Sequence, residues 1–200
     1  MTPDVRVILV GDSFVAGVGD PEGLGWVGRV VAAAFAAGVP LTAYNLGVRR
    51  NTTADVQARW HTEVAARLTD DADCRLVVSV GSNDANHEHG RPRVEPADSV
   101  ENLSRTLAGA RRLELPVLLV GPAPANDGAQ QERVSTLSTE FRDLAERHGV
   151  PYVDIAGPLT ESELWKRELA AGDGAHPGSD GYALLAGLIR PTWLKWLSAA

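Results

Sequence analysis

The chain predicts an α/β fold, a three-layer α/β/α sandwich on a five-stranded parallel sheet. Two observations carry this. Five short runs rich in Val, Ile and Leu recur, and longer segments of helical period alternate with them. The first, third and fourth runs are nearly continuous apolar blocks, as in strands covered on both faces. Strands alternating with helices pair in parallel through right-handed crossovers. The expected strand order is 2-1-3-4-5. Ligands of such sheets sit outside the carboxyl ends of the strands, where strand order reverses.

The first strand is Val5–Val10. Trp26, Val30 and Ala34 then form a row at helical spacing, with Val27, Val31 and Phe35 beside it. After the second strand, Leu41–Leu46, a polar start at Asn51-Thr52-Thr53 leads into Val56, Trp60 and Val64. The third strand is Leu76–Val80. The helix after it carries Val100, Leu103 and Leu107, with Pro96 ahead of it and Asp98 as its capping candidate. The fourth strand, Val117–Val120, precedes a helix marked by Val134, Leu137, Phe141 and Leu144. Gly149 stops that helix and Pro151 keeps it stopped. The fifth strand is Tyr152–Ile155. A last helix starts near Ser179, runs through Tyr182, Leu185 and Leu188, and kinks or restarts at Pro191. Leu194 to Leu197 finish it with apolar cover. Trp26 and Trp60 read as core, whereas Trp165 and Trp193 can line a pocket or an interface.

Residues 1–200 are expected to form one domain, with no repeat or low-complexity linker. Hydrophobic residues are 44% and charged residues 22%, which excludes intrinsic disorder. Lys and Arg number 19 against 26 Asp and Glu, a net charge of −7 without a basic stripe. That argues against nucleic acid or an anionic membrane as the partner. Cys74 is the single cysteine, so an internal disulfide and a cysteine-rich zinc site are both excluded. The start, Met1 to Val10, lacks the basic and apolar regions of a signal peptide, and no apolar run reaches the ~18 residues of a membrane span. The expected location is cytoplasmic. Nothing in the sequence specifies an oligomeric state.

The chemistry-bearing residues cluster after strands. Gly11-Asp12-Ser13-Phe14 follows the first, Asn45-Leu46-Gly47 closes the second, and Gly81-Ser82-Asn83-Asp84 follows the third. Asp173-Gly174-Ala175-His176-Pro177 precedes the last helix. A hydroxyl, an imidazole, a carboxylate and an amide thus converge on one rim, the inventory for acyl transfer by a serine nucleophile. A serine needs a base. An imidazole titrates near ~6.5, so His176 can take the Ser13 proton near neutral pH. Asp173 can accept from the other ring nitrogen and fix the tautomer.

These four clusters resemble the blocks of the SGNH/GDSL hydrolase family. The serine block reads GDSF, the glycine block NLG, the asparagine block GSND and the histidine block DGAHP, in family order from Gly11 to Pro177. The resemblance implies the flavodoxin-like sandwich already read from periodicity. It implies an esterase, lipase or thioesterase that uses no cofactor and acts on a small-molecule ester. It also implies an oxyanion hole made by the backbone N–H groups of Ser13 and Gly47 and the side-chain amide of Asn83. A bare backbone at Gly47 would let a ligand approach closely. Phe14 stands where the family usually has Leu, a minor departure for a side chain expected to pack beneath the loop.

Each cluster also has an ordinary reading. Ser13 can be a helix cap, Gly47 a tight turn, Asn83-Asp84 a strand-end turn, and Asp173 to Gly181 a solvated turn. All four would have to coincide in family order. His87 and His89, with Asp12 and Asp84, invite a metal-dependent phosphoesterase, but the first-strand Asp12 lacks the His that dinuclear sites want two residues on. A non-catalytic flavodoxin-like binding domain of the receiver kind would want an Asp ending the third strand and a Lys after the fifth, and both are missing. Gly17, Gly19, Gly23 and Gly25 do not match a dinucleotide fingerprint. Arg49 and Arg50 can meet an anionic substrate group or form surface ion pairs. The loops 81–96 and 121–130 would frame the pocket. The first is polar and the second small, so short acyl chains or small soluble esters are favoured.

Overall fold

The computed structural model describes residues 4–199. The reading of the amino terminus falls partly on Met1, Thr2 and Pro3, which lie outside them. β1 (Val5–Gly11) lies between β2 (Leu41–Gly47) and β3 (Asp73–Ser79), all parallel. A small antiparallel hairpin of β4 (His87–Glu88) and β5 (Arg91–Pro92) stands apart. β6 (Val117–Val120) and β7 (Tyr152–Val153) complete the sheet, in the order β2-β1-β3-β6-β7. This is the expected order, with the five parallel strands counted along the chain.

The helices are α1 (Ser13–Ala16), α2 (Gly25–Ala36), α3 (Thr53–Ala65), α4 (Pro96–Arg112), α5 (Gly128–His148), α6 (Ala156–Glu161), α7 (Glu163–Ala171) and α8 (Ser179–Ser198). Strand alternation sorts them into two layers. Val5, Val7 and Leu9 pack with Trp26 and Val30 of α2, Trp165 of α7, and Tyr182 and Leu185 of α8. Ile8 and Val10 pack with Val56 and Trp60 of α3, Leu103 and Leu107 of α4, and Leu137 and Phe141 of α5. The two faces of one strand thus serve two cores, which is why β1, β3 and β6 read as unbroken apolar runs.

Several local expectations change. The third strand starts at Asp73 and ends at Ser79, leaving Val80 outside. The fifth ends at Val153, because Ile155 turns to begin α6. Glu95, not Asp98, occupies the N-cap of α4. Pro96 is the first helical residue, where its missing N–H costs nothing, and Asp98 lies in the first turn, favourable for an anion. α8 runs unbroken through Pro191. Buried Tyr182, Leu185 and Ile189 before the proline, and Trp193, Trp196 and Leu197 after it, hold both halves on one sheet face. Trp165 and Trp193 are fully buried and belong to that core, not to a pocket or interface. Asn51 to Thr53 start α3 as expected, Thr52 and Asp55 forming a capping box. Gly149 closes α5 in the left-handed region, φ 67°. Among the described residues no helix is long and apolar enough to cross a membrane.

α3 and α4 cross at Gly109, where a Cβ would lie 2.5 Å from Trp60 Cζ2. Trp60 is buried and cannot swing away. Gly109→Ala is expected to lower unfolding stability by ~1–3 kcal/mol through overpacking. Urea denaturation checks this, and an unchanged midpoint would show that the crossing is slack.

Candidate active site

β1 ends at Gly11 and the chain turns at once into α1. Asp12, not Ser13, is the N-cap: its carboxylate accepts from the Phe14 amide at 2.9 Å. Ser13 is therefore the first helical residue, buried, and its N–H has no partner within the helix. Its Oγ lies 2.8 Å from His176 Nε2. The other ring nitrogen, Nδ1, lies 2.7 Å from Asp173 Oδ2. Asp173 Oδ1 also accepts from the amides of Ala175 and His176, at 2.9 and 2.8 Å. Burial works against the Asp173 charge, but the His176 ring and these amides hold the carboxyl down to about 2. Ser13, His176 and Asp173 thus form one hydrogen-bonded line, and an alcohol in that line can pass its proton to the imidazole.

Gly47 ends β2 directly against the α1 turn. A Cβ there would meet Ala16 N at 2.2 Å and Asp12 O at 2.8 Å. The residue must be glycine because the chain itself crowds it, a different reason from the ligand approach expected above. Its N–H donates to Asn45 Oδ1 at 3.0 Å. Asn83 is half-buried and donates through Nδ2 to Asn51 O at 3.1 Å, which leaves the second N–H of the amide for another acceptor. The turn from Val48 to Asn51 therefore links Gly47 to Asn83.

Supporting residues surround this line. Phe14 does pack beneath the loop, between Trp165, with ring centroids 6.1 Å apart, and His176, at 5.4 Å. Trp165 Nε1 donates to Pro124 O at 3.0 Å. Arg59 of α3 donates to the carbonyls of Gly11 and Leu46 at 2.8 and 3.0 Å, where β1 and β2 end. A basic residue at helical spacing carries no sign of that role. Arg50 pairs with Glu88 at 2.7 Å, and Arg93 reaches the same carboxylate at 3.4 Å. This bears out the surface ion-pair reading for Arg50 and fastens the β4–β5 hairpin to the β2–α3 turn.

The residues of the metal reading are dispersed. Asp84 turns its carboxylate to the Thr53 amide, the Thr53 hydroxyl and the Ser99 hydroxyl. His87 and His89 are exposed on the hairpin. Among the described residues no three His, Cys, Asp or Glu side chains gather to hold an ion.

Burial pushes the Asp12 carboxyl up to about 7; the Phe14 amide opposes this and the Asp84 charge adds to it. An unfolded Asp ionises near ~4. Between about 4 and 7 the unfolded chain therefore holds fewer protons at this site than the folded one. Its contribution to stability falls as pH rises through that window and levels off above it. Asp12→Asn keeps an acceptor for the Phe14 amide but cannot ionise. Its stability relative to wild type is expected to rise from pH 5 to pH 8 by on the order of 2–4 kcal/mol. Urea unfolding at the two pH values measures this, and an equal difference at both would show that Asp12 does not titrate there.

The GDSL-like lipase/acylhydrolase family model matches residues 9–184. No curated protein matches the chain. Among solved structures, a lipase/acylhydrolase from Enterococcus faecalis is 26% identical, with a TM-score of 0.78 over 96% of each chain. An α/β hydrolase enzyme from the metagenome of Lake Arreo is 21% identical, with a TM-score of 0.75 over 100% of this chain and 99% of that one. An acetylxylan esterase from Geobacillus stearothermophilus is 19% identical, with a TM-score of 0.73 over 100% of this chain and 98% of that one. At those identities the last two show a shared fold. The family match takes in the serine, glycine, asparagine and histidine blocks together. The chain belongs to the GDSL-like lipase/acylhydrolase family and is a carboxylic ester hydrolase.

Proposed function

We propose that the chain is a serine hydrolase, its residues 1–200 acting as one domain, that cleaves a carboxylic ester or thioester through an acyl-serine intermediate. The observation that carries this is the line from Ser13 Oγ through the His176 ring to Asp173, with contacts of 2.8 and 2.7 Å. Ser13 Oγ bonds to the acyl carbon as His176 Nε2 takes the hydroxyl proton. Asp173 accepts from Nδ1 and stabilises the imidazolium. The tetrahedral oxyanion takes hydrogen bonds from the Ser13 and Gly47 amides and the second N–H of Asn83. An anionic oxygen is a stronger acceptor than the Asn45 amide oxygen that the Gly47 N–H meets at rest. Collapse breaks the bond to the leaving oxygen or sulfur, which receives the proton from His176. Water then repeats the sequence on the acyl-serine, releasing acid and restoring Ser13. Every step uses side chains and amides, so no cofactor is required.

Further support comes from the Geobacillus stearothermophilus esterase, whose variants at a serine, an aspartate and a histidine are described as catalytic mutants. The favoured substrates are short-chain or small soluble esters. The hairpin residues His87, Glu88 and His89 are exposed and polar, and the apolar side chain exposed next to Gly47 is a single valine, Val48. A long acyl chain would find little apolar cover from these segments.

Ser13→Ala is expected to abolish turnover of p-nitrophenyl acetate while the far-ultraviolet dichroism stays native. A serine-directed phosphonate is expected to label the wild type once, at Ser13. Wild-type turnover by the variant, or labelling at another residue, would remove Ser13 as the nucleophile. Asn83→Ala is expected to lower kcat by ~10²–10³-fold, the usual effect of losing one oxyanion donor. A change confined to KM would instead make Asn83 a residue of substrate binding.

A further inference from the structure

The loop between α1 and α2 holds a buried carboxylate that no step of ester cleavage uses. The Asp20 side chain has no solvent exposure. Oδ2 accepts from the amides of Leu24 and Gly25, at 3.2 and 2.8 Å, and from Arg29. Oδ1 accepts from the Glu22 amide at 3.1 Å and from Ser179 Oγ at 3.0 Å. Burial would raise its pKa, but Arg29 and the other donors outweigh it and hold the carboxyl well below the usual range. Most of these bonds close the loop on itself. The bond to Ser179 does not: it joins residues 159 positions apart and reaches the first residue of α8, just past His176.

Other contacts make this loop a bridge. The Val18 amide donates to Ser13 O at 3.1 Å, and Val18 O accepts from Tyr182 Oη at 2.7 Å. Gly19 has φ 91°, and a Cβ there would lie 3.0 Å from His176 Cβ and 2.9 Å from Pro177 O. The loop thus touches the backbone at Ser13 on one side and at His176 on the other. The bond between Asp173 and His176 is internal to one exposed turn. It orients the ring within that turn but cannot set where the turn stands relative to β1.

We infer that Asp20, acting through Ser179, is a positioning residue that sets the reach between His176 Nε2 and Ser13 Oγ. The inference rests on the acyl-serine reading. A misplacement of about 1 Å at a reacting pair can cost ~10²-fold in rate. Ser179→Ala removes the cross-loop bond and leaves the pair of Asp20 with Arg29 intact. Its kcat for p-nitrophenyl acetate is expected to fall at least tenfold with KM within twofold. Phosphonate labelling of Ser13 should slow in parallel. Ser179→Thr keeps the hydroxyl and should recover at least half of the lost rate. A purely structural bond would lower the thermal midpoint and leave kcat of the folded protein unchanged. Wild-type kcat in Ser179→Ala, or no recovery in Ser179→Thr, with Ser13→Ala inactive in the same assay, overturns the positioning role alone. Wild-type turnover by Ser13→Ala overturns the acyl-serine reading and this inference with it.

Discussion

Gly11 stands opposite Gly47 on one side and Ser79 on the other, so three neighbouring parallel strands end level. The rest of the site depends on that register. Slipping a strand by one residue would exchange its two faces, moving Val7 and Leu9 into the core now filled by Ile8 and Val10. The fit of each side chain to its own packed layer therefore sets the level at which each strand stops. Close contacts then allow only small residues at the ends. A Cβ on Gly11 would lie 2.0 Å from Ser79 O, and one on Gly47 would lie 2.2 Å from Ala16 N. Arg59 adds a brace by donating to the carbonyl of Gly11, the last residue of β1, and to that of Leu46, the last but one of β2.

The charges around this rim are distributed unequally, and for identifiable reasons. Asp173 is half-exposed and receives two amides and an imidazole, which keeps it ionised well below neutral pH. Asp12 and Asp84 are buried and both are pushed upward. Asp84 is compensated by Thr53 and Ser99, and so staples α3 to α4. Asp12 has the Phe14 amide as its side-chain partner, and burial pushes its carboxyl well above the usual carboxylate range. A full negative charge beside Ser13 would oppose an oxyanion forming on the substrate. In the proposed mechanism a full negative charge at Asp173 favours the imidazolium that forms beside it. The environment therefore places the stable anion beside the histidine, where the proposed imidazolium would form.

Most of this arrangement was legible from sequence because its signals are local. An apolar block bounded by Gly and Asp reads as a buried strand ending in a turn, and the four blocks are short enough to recognise in place. What the sequence does not display is long-range or weakly periodic. α6 and α7 fill Ala156–Ala171, a stretch without a long apolar row, and they form because Leu159, Trp165 and Leu169 complete the core shared with α2 and α8. The position of Trp165 followed from that packing and from no pattern of its own. In sequence Asp20 is one more acidic residue in a glycine-rich loop, since Arg29 and Ser179 meet it only in three dimensions. Local rules penalise proline within a helix and so place a kink or restart at Pro191. Tertiary burial on both sides of it prevailed.

The departure at Phe14 shows how the core reaches the reacting groups. Leucine at this position would supply bulk. Phenylalanine supplies a flat ring whose centroid lies 5.4 Å from that of His176, tilted by 45°. Trp165 stacks behind it at 25° and is itself pinned to Pro124 O. The imidazole thus lies against Phe14, which Trp165 backs from the apolar layer. An aromatic face attracts a cation within about 6 Å, and the attraction grows when the pair is shielded from water. In the proposed mechanism the imidazole becomes a cation as Ser13 attacks. A residue that reads in sequence as a tolerated packing variant therefore lies where positive charge develops, and it links the stability of the inner core to the stability of that charge.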